Sequence, residues 1–174
     1  MLSGSNFIGG VESSKGKNIF SVSSPLNKQA LQGEFSEVTS SEINQALSCA
    51  KEVIPYLRSE GVLIIPKFLN ALADRILEHK DALIERAHQE TGLSISERLG
   101  PELQRTATQL NLFADLARTG KSSDPRIVTG LPNRKPSPRP DIRGVRIGFG
   151  PVLVIEASNF PFAFGAIGGD CESA

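Results

Sequence analysis

The chain lacks a charge imbalance, a cysteine framework, a histidine cluster and any long apolar run, and each absence closes off a class of function. Lys and Arg number 19 and Asp and Glu number 19, so the formal net charge is zero. No global field draws in nucleic acid or an anionic membrane surface. No run reaches the ~18 apolar residues of a membrane helix. The start, Met1-Leu2-Ser3-Gly4-Ser5-Asn6, has neither the positive nor the apolar region of a secretory signal. Cys49 and Cys171 have no CxxC spacing and suit a reducing compartment. His79 and His88 do not share a helix face as i and i+4 ligands would, so no metal site is expected. The expectation is a soluble cytoplasmic protein with no call on membrane or nucleic acid.

What is present, over 174 residues, is enough for one medium domain or a piece of a larger one. Residues 1–38 alternate turn signals with short β-type pieces, Phe7-Ile8, Ile19-Phe20-Ser21-Val22 and Phe35-Ser36-Glu37-Val38, and predict a hairpin followed by an extended segment. Thr39 and Glu42 fit a capping box before a helix bearing Ile43, Ala46, Leu47, Ala50, Val53 and Ile54, which Pro55 is expected to end. Cys49 beside that stripe reads as a small packing residue. A second helix is expected from near Pro66 to Thr91, with Gly92 just past its end. Ser94 and Glu97 suggest another capping box. The helix after it, interrupted or restarted at Gly100-Pro101, carries Leu103, Thr106, Leu110, Phe113, Ala114 and Ala117 and stops at Gly120.

Residues 121–147 change character: five prolines accompany Arg134, Lys135, Arg139, Arg143 and Arg146. Without interleaved aromatics to stack on bases, this reads as a solvated connector rather than a nucleic-acid patch. Asp141 to Ile147 alternates apolar and basic residues, as a strand with one polar face does.

The last stretch carries the candidate chemistry. Val152 to Ile155 is a short unbroken apolar run, the pattern of a strand buried on both faces. Glu156-Ala157-Ser158-Asn159-Phe160 breaks it, and Pro161 suits the first turn of a helix. Strand, tight loop and helix make the place where an α/β sheet binds ligands. Gly148 and Gly150 precede the strand, and Leu153 stands where a dinucleotide fingerprint needs its third glycine. Gly165, Gly168 and Gly169 read as sites of close packing. Asn159 has two readings: a turn residue capping the helix at Pro161, or an amide donating to a developing oxyanion.

The run GPVLVIEASNFPFAFGAIGGD resembles the strand and Asn-Phe-Pro loop of the aldehyde dehydrogenase superfamily. Phe7-Ile8-Gly9-Gly10, Ser24-Pro25, Ile84 to Gly92, Gln104 to Leu110 and Phe113-Ala114 extend the resemblance along the chain. Ala157-Ser158 and Gly168-Gly169-Asp170 resemble the branch acting on 2-oxoglutarate semialdehyde (2,5-dioxopentanoate), which also includes NADP-linked fatty-aldehyde enzymes. The resemblance implies an α/β fold. Residues 1–121 would be the N-terminal part of the cofactor domain, 122–150 an arm pairing subunits into a dimer or tetramer, and 151–174 the start of a Rossmann-like sheet. It also implies aldehyde oxidation by a cysteine thiolate through a thiohemiacetal, with hydride passing to NAD or NADP.

On that resemblance Asn159 is the oxyanion donor, and Ile155, Ala157, Ser158 and Asn159 line the nicotinamide side. The catalytic cysteine and glutamate and the ribose-binding lysine would lie beyond Ala174, so the chain is expected to be an N-terminal fragment without turnover that binds cofactor poorly. Cys171, twelve residues past Asn159, would be a small buried residue. The alternative is a non-catalytic module that associates with intact dehydrogenase subunits. Either way, residues 148–174 are expected to leave apolar surface uncovered and to favour aggregation or partial disorder.

Overall fold

The computed structural model describes residues 3–173, so Met1, Leu2 and Ala174 lie outside the described residues. Asn6–Ile8 (β1) and Val11–Ser13 (β2) form an antiparallel hairpin that pairs Ile8 with Val11. Ile19–Ser23 (β3) and Ala30–Ser36 (β4) form a second, where Phe20 stacks on Phe35 with centroids 5.5 Å apart. The extended segment predicted from sequence is therefore half of a hairpin. Its turn closes locally, with the Lys28 N–H donating to the Ser24 carbonyl at 2.8 Å.

Helix α1 runs Ser40–Glu78. The capping box at its start forms: the Thr39 hydroxyl accepts from the Glu42 N–H at 3.2 Å, and the Glu42 carboxylate accepts from the Thr39 N–H at 2.8 Å. Glu42 is fully buried, and its carboxylate also takes the Ser13 hydroxyl at 2.5 Å and the Lys15 N–H at 3.2 Å. One acidic side chain thus ties the first hairpin to α1.

Pro55 does not end the helix, and Pro66 lies inside it rather than starting a second one. An internal proline costs roughly 3 kcal/mol through one lost hydrogen bond and a ring clash. At Pro55 the carbonyl that loses its partner belongs to Lys51, on an exposed stretch open to solvent. Pro66 sits in the half of α1 that buries Leu69, Ala73 and Ile76, and burial of a large apolar side chain contributes about 1.5–3 kcal/mol. Packing outweighs the break.

The helix yields at His79, and α2 covers Lys80–Thr91, closed by Gly92 in the left-handed region. His88 Nδ1 lies 2.7 Å from the Leu93 carbonyl, a boundary contact. A π-helical turn, Ile95–Leu99, leads into α3, Gly100–Thr119, with Pro101 in its first turn and left-handed Gly120 after its last. At Ser94 only half the expected box forms, the Ser94 Oγ accepting from the Glu97 N–H.

The core is the contact of α1 and α2 with α3: Leu69, Ile76, Ala87, Leu99, Leu103 and Leu110. The α3 stripe predicted from sequence is buried at Leu103, Thr106, Leu110 and Ala114 and half-buried at Phe113 and Ala117. The first stripe of α1 is not: Ile43, Leu47 and Val53 are exposed.

Arg126–Val128 (β5) and Ile142–Gly144 (β6) pair antiparallel, shorter than the strand expected over 141–147. Asp124 holds Arg126 at 2.7 Å and Arg146 at 3.0 Å, and Asp141 holds Arg143 at 3.1 Å. Part of the basic run is therefore neutralised on its own hairpin.

The strand predicted at Val152 to Ile155 is not formed. Leu153 is 87% exposed and Ile155 85%, and among the described residues no strand pairs with them. A strand meant for burial on both faces needs neighbours on both edges. Nor does a helix start at Pro161. Residues 158–168 form successive turns, and only Gly169–Ser173 (α4) is helical. Gly165 and Gly168 would each cost a helix about 1 kcal/mol against alanine, which favours the turns.

Candidate functional site

The loop after the extended segment is closed by its own backbone. The Ala157 N–H donates to the Phe164 carbonyl at 3.2 Å, the Phe160 N–H to the Ala157 carbonyl at 3.2 Å, and the Phe164 N–H to the Phe160 carbonyl at 3.1 Å. Phe160 and Phe164 meet edge to face, 5.1 Å between centroids. Phe162 and Ala163 turn inward and are buried against α3. Side chains at Gly165 and Gly168 would fill space the turn needs: a Cβ on either would come within 2.3 Å of a loop carbonyl oxygen. The close-packing expectation holds at Gly165 and Gly168 but not at Gly169, where a Cβ would meet only ordinary contacts at 3.6 Å and beyond.

Two residues of the helical layer anchor this loop. The Glu102 Oε1 accepts from the N–H groups of Phe162 and Ala163, both at 2.9 Å. Arg98 donates to the Asn159 carbonyl at 3.1 Å, lies over the Phe160 ring at 3.8 Å and approaches Glu102 Oε2 at 3.6 Å. Neither was singled out from sequence. The available signal was an acidic residue beside Leu103 and four before Thr106, inside the buried stripe of α3.

Asn159 itself is exposed, and among the described residues its side-chain amide makes no hydrogen bond. Its capping reading is therefore overturned, because no helix starts at Pro161 and the Phe162 and Ala163 N–H groups go to Glu102. Ser158 and Ile155 are exposed beside it and Ala157 is half-buried, its N–H spent on Phe164. Arg98, Glu102 and Phe160 share a cavity of about 170 Å³ with Glu97, Pro101 and Arg105. A larger cleft of about 430 Å³, between Gln32, Glu34 and Arg86, includes no residue of the predicted site.

Ligand pockets of drug size run to ~300–1,000 Å³. The cavity beside the loop falls below that range, and the Ala157 N–H on the loop is already spent on the Phe164 carbonyl. Among the described residues no group of three or more His, Cys, Asp or Glu could hold a metal ion. No helix among them is long and apolar enough to cross a membrane.

Cys171 lies on α4 and is exposed, not buried as expected. Partial burial of its thiol, then the carboxylates of Glu156, Asp170 and Glu172, raise its pKa, so it is no activated nucleophile. Burial also pushes the Glu172 carboxyl up to about 7. Cys49 is half-buried, and a Cβ on Gly9 would meet its sulfur at 3.0 Å, as a packing residue would arrange.

The sequence pattern of the aldehyde dehydrogenase family matches residues 11–167. The chain belongs to this family. It is 42% identical over 140 residues to alpha-ketoglutaric semialdehyde dehydrogenase 2 of Azospirillum brasilense, a match covering 80% of this chain and 26% of that protein. It is 43% identical over 140 residues to alpha-ketoglutaric semialdehyde dehydrogenase of Acinetobacter baylyi, with the same coverage.

Betaine aldehyde dehydrogenase from Staphylococcus aureus, solved with NAD+, shares the fold at a TM-score of 0.63 and 22% identity, over 73% of this chain and 25% of that one. PnpE, solved with nicotinamide adenine dinucleotide, does so at 0.62 and 21%, over 71% and 25%. The aldehyde dehydrogenase likeness fixes the class as α/β, here represented by hairpins and a helical layer. The chain spans about a quarter of the length of the relatives it matches.

Proposed function

We propose that this chain supplies the N-terminal part of an NAD(P)-linked aldehyde dehydrogenase, with the Asn159 amide as the donor to the oxyanion formed when an aldehyde is attacked. The observation that carries this reading is an exposed, unengaged amide on an anchored loop. A preorganised donor of this kind acts where charge develops, and loop anchoring means little reorganisation at that moment. The names of the two curated relatives favour a semialdehyde derived from alpha-ketoglutarate as substrate.

The nucleophile, the base and the cofactor cradle come from outside the described residues on this reading, so the chain contributes the oxyanion donor and no turnover of its own. The exposed hairpin within 122–150, with Ile127, Ile142, Val145 and Ile147 uncovered, is the surface we assign to subunit pairing in a dimer or tetramer.

The test is a chimera in which residues 1–174 replace the matching segment of the Azospirillum enzyme. NAD(P)-linked oxidation of alpha-ketoglutaric semialdehyde is expected, and Asn159→Ala should lower kcat by about 10²–10³ with little change in KM. An inactive chimera, or an unaffected variant, overturns the proposal.

A further inference from the structure

Glu102 is 4% exposed, on the face of α3 that also buries Leu103 and Thr106. A carboxylate in that place is costly unless its charge is met by donors. One oxygen is met, by two backbone N–H groups at 2.9 Å, while the other makes no hydrogen bond and has the Arg98 guanidinium 3.6 Å away as its ion-pair partner. Those N–H groups belong to Phe162 and Ala163, in a stretch of turns that offers them no helical carbonyl. Bonds of N–H groups to an ionised carboxylate are roughly twice as strong as neutral ones.

Arg98, one helical turn earlier, holds the other end of the same segment through the Asn159 carbonyl and the face of Phe160. Between the two anchors stand only Phe160, whose ring lies under Arg98, and Pro161, whose φ is fixed by its ring. The segment from Asn159 to Ala163, whose first residue carries the amide, is thus pinned at both of its ends by one ion pair.

We infer that Glu102, acting with Arg98, is the positioning residue that sets the Asn159 amide at the site of reaction. This rests on the reading of Asn159 as oxyanion donor. Neither side chain is proposed to touch substrate. Glu102 acts through the Phe162 and Ala163 amides and Arg98 through the Asn159 carbonyl. A misplacement near 1 Å at a reacting group costs on the order of 10²-fold in rate, which sets the scale of the effect.

Two measurements test it. In the 174-residue chain, backbone amide exchange should show Phe162 and Ala163 protected. Glu102→Ala should speed both by about 10-fold or more, the loss of one hydrogen bond to a charged group. Glu102→Gln, which keeps an acceptor oxygen but not the charge, should fall between. Protection along α3 from Leu103 to Leu110 should stay unchanged in Glu102→Gln. Unprotected amides in the parent chain, or a proportional loss along α3, overturns the positioning role.

In the chimera, Glu102→Gln should lower kcat by 10- to 100-fold at constant KM. Loosened amides with an unchanged kcat would also overturn positioning. If Asn159→Ala is silent while the exchange result stands, the reading of Asn159 is what fails, and the anchor remains as a structural finding.

Discussion

Residues 145–157 are denser in apolar side chains than residues 99–114, yet only the latter include buried ones, Leu99, Leu103, Ala107, Leu110 and Ala114. Leu99 and Leu110 have no exposed surface, whereas Phe149, Leu153 and Ile155 are almost wholly open to solvent. The difference lies in partners, not in hydrophobicity. The α3 stripe meets a complementary face on α1 and α2, so each side chain leaves water. The 145–157 segment is surrounded by nothing among the described residues that can cover two faces at once. The Asn159 loop sits at the junction, its inner side held by the buried region and its outer side continuous with the open one.

The largest expected effect lies in the buried region. Leu110→Ala should destabilise the chain by about 2–5 kcal/mol, read from urea unfolding. A loss below about 1 kcal/mol would mean that the helical contact is loosely packed and would erase the contrast.

A smaller effect concerns the tie between the first hairpin and α1. The Ser13 hydroxyl, then the Thr39 hydroxyl and N–H, hold the Glu42 carboxyl down to about 2, with the Lys15 N–H helping against burial. An unfolded glutamate titrates near ~4.3. The stabilisation from this group is therefore complete above about pH 5 and drains away as pH falls toward 2. Glu42→Gln should flatten the acid limb of a stability–pH curve. An unchanged limb would place the acid sensitivity elsewhere.

The smallest effect is at Leu153. Leu153→Ser should change unfolding free energy by less than about 0.5 kcal/mol, as exposed substitutions do. It should nevertheless reduce light scattering of concentrated samples by breaking up an exposed apolar run. A cost above 1 kcal/mol would show that the segment is packed in solution.

Much of the helical layer could be read from local chemistry. The Thr39–Glu42 box, the left-handed Gly92 and Gly120 and the α3 stripe depend on residues within a turn of each other, and all appear as read. Pro66 reads as a helix start because a proline's cost is local, while the packing of Leu69, Ala73 and Ile76 that overrides it is not. The candidate loop was legible as Asn-Phe-Pro, and the anchor that shapes it was not. Glu102 and Phe162 are sixty residues apart, and nothing within a turn of either reveals the pair.

Family membership and the helix ends marked by Thr39, Gly92 and Gly120 were determined by sequence alone, because each is written in short runs whose chemistry is self-contained. Only the tertiary structure decided that Val152 to Ile155 stays unpaired, that Cys171 is exposed and that a buried carboxylate on α3 holds the Asn159 loop. Those outcomes depend on which surfaces meet. An apolar run becomes a strand, and a buried charge becomes an anchor, only when distant parts of the chain supply the partner.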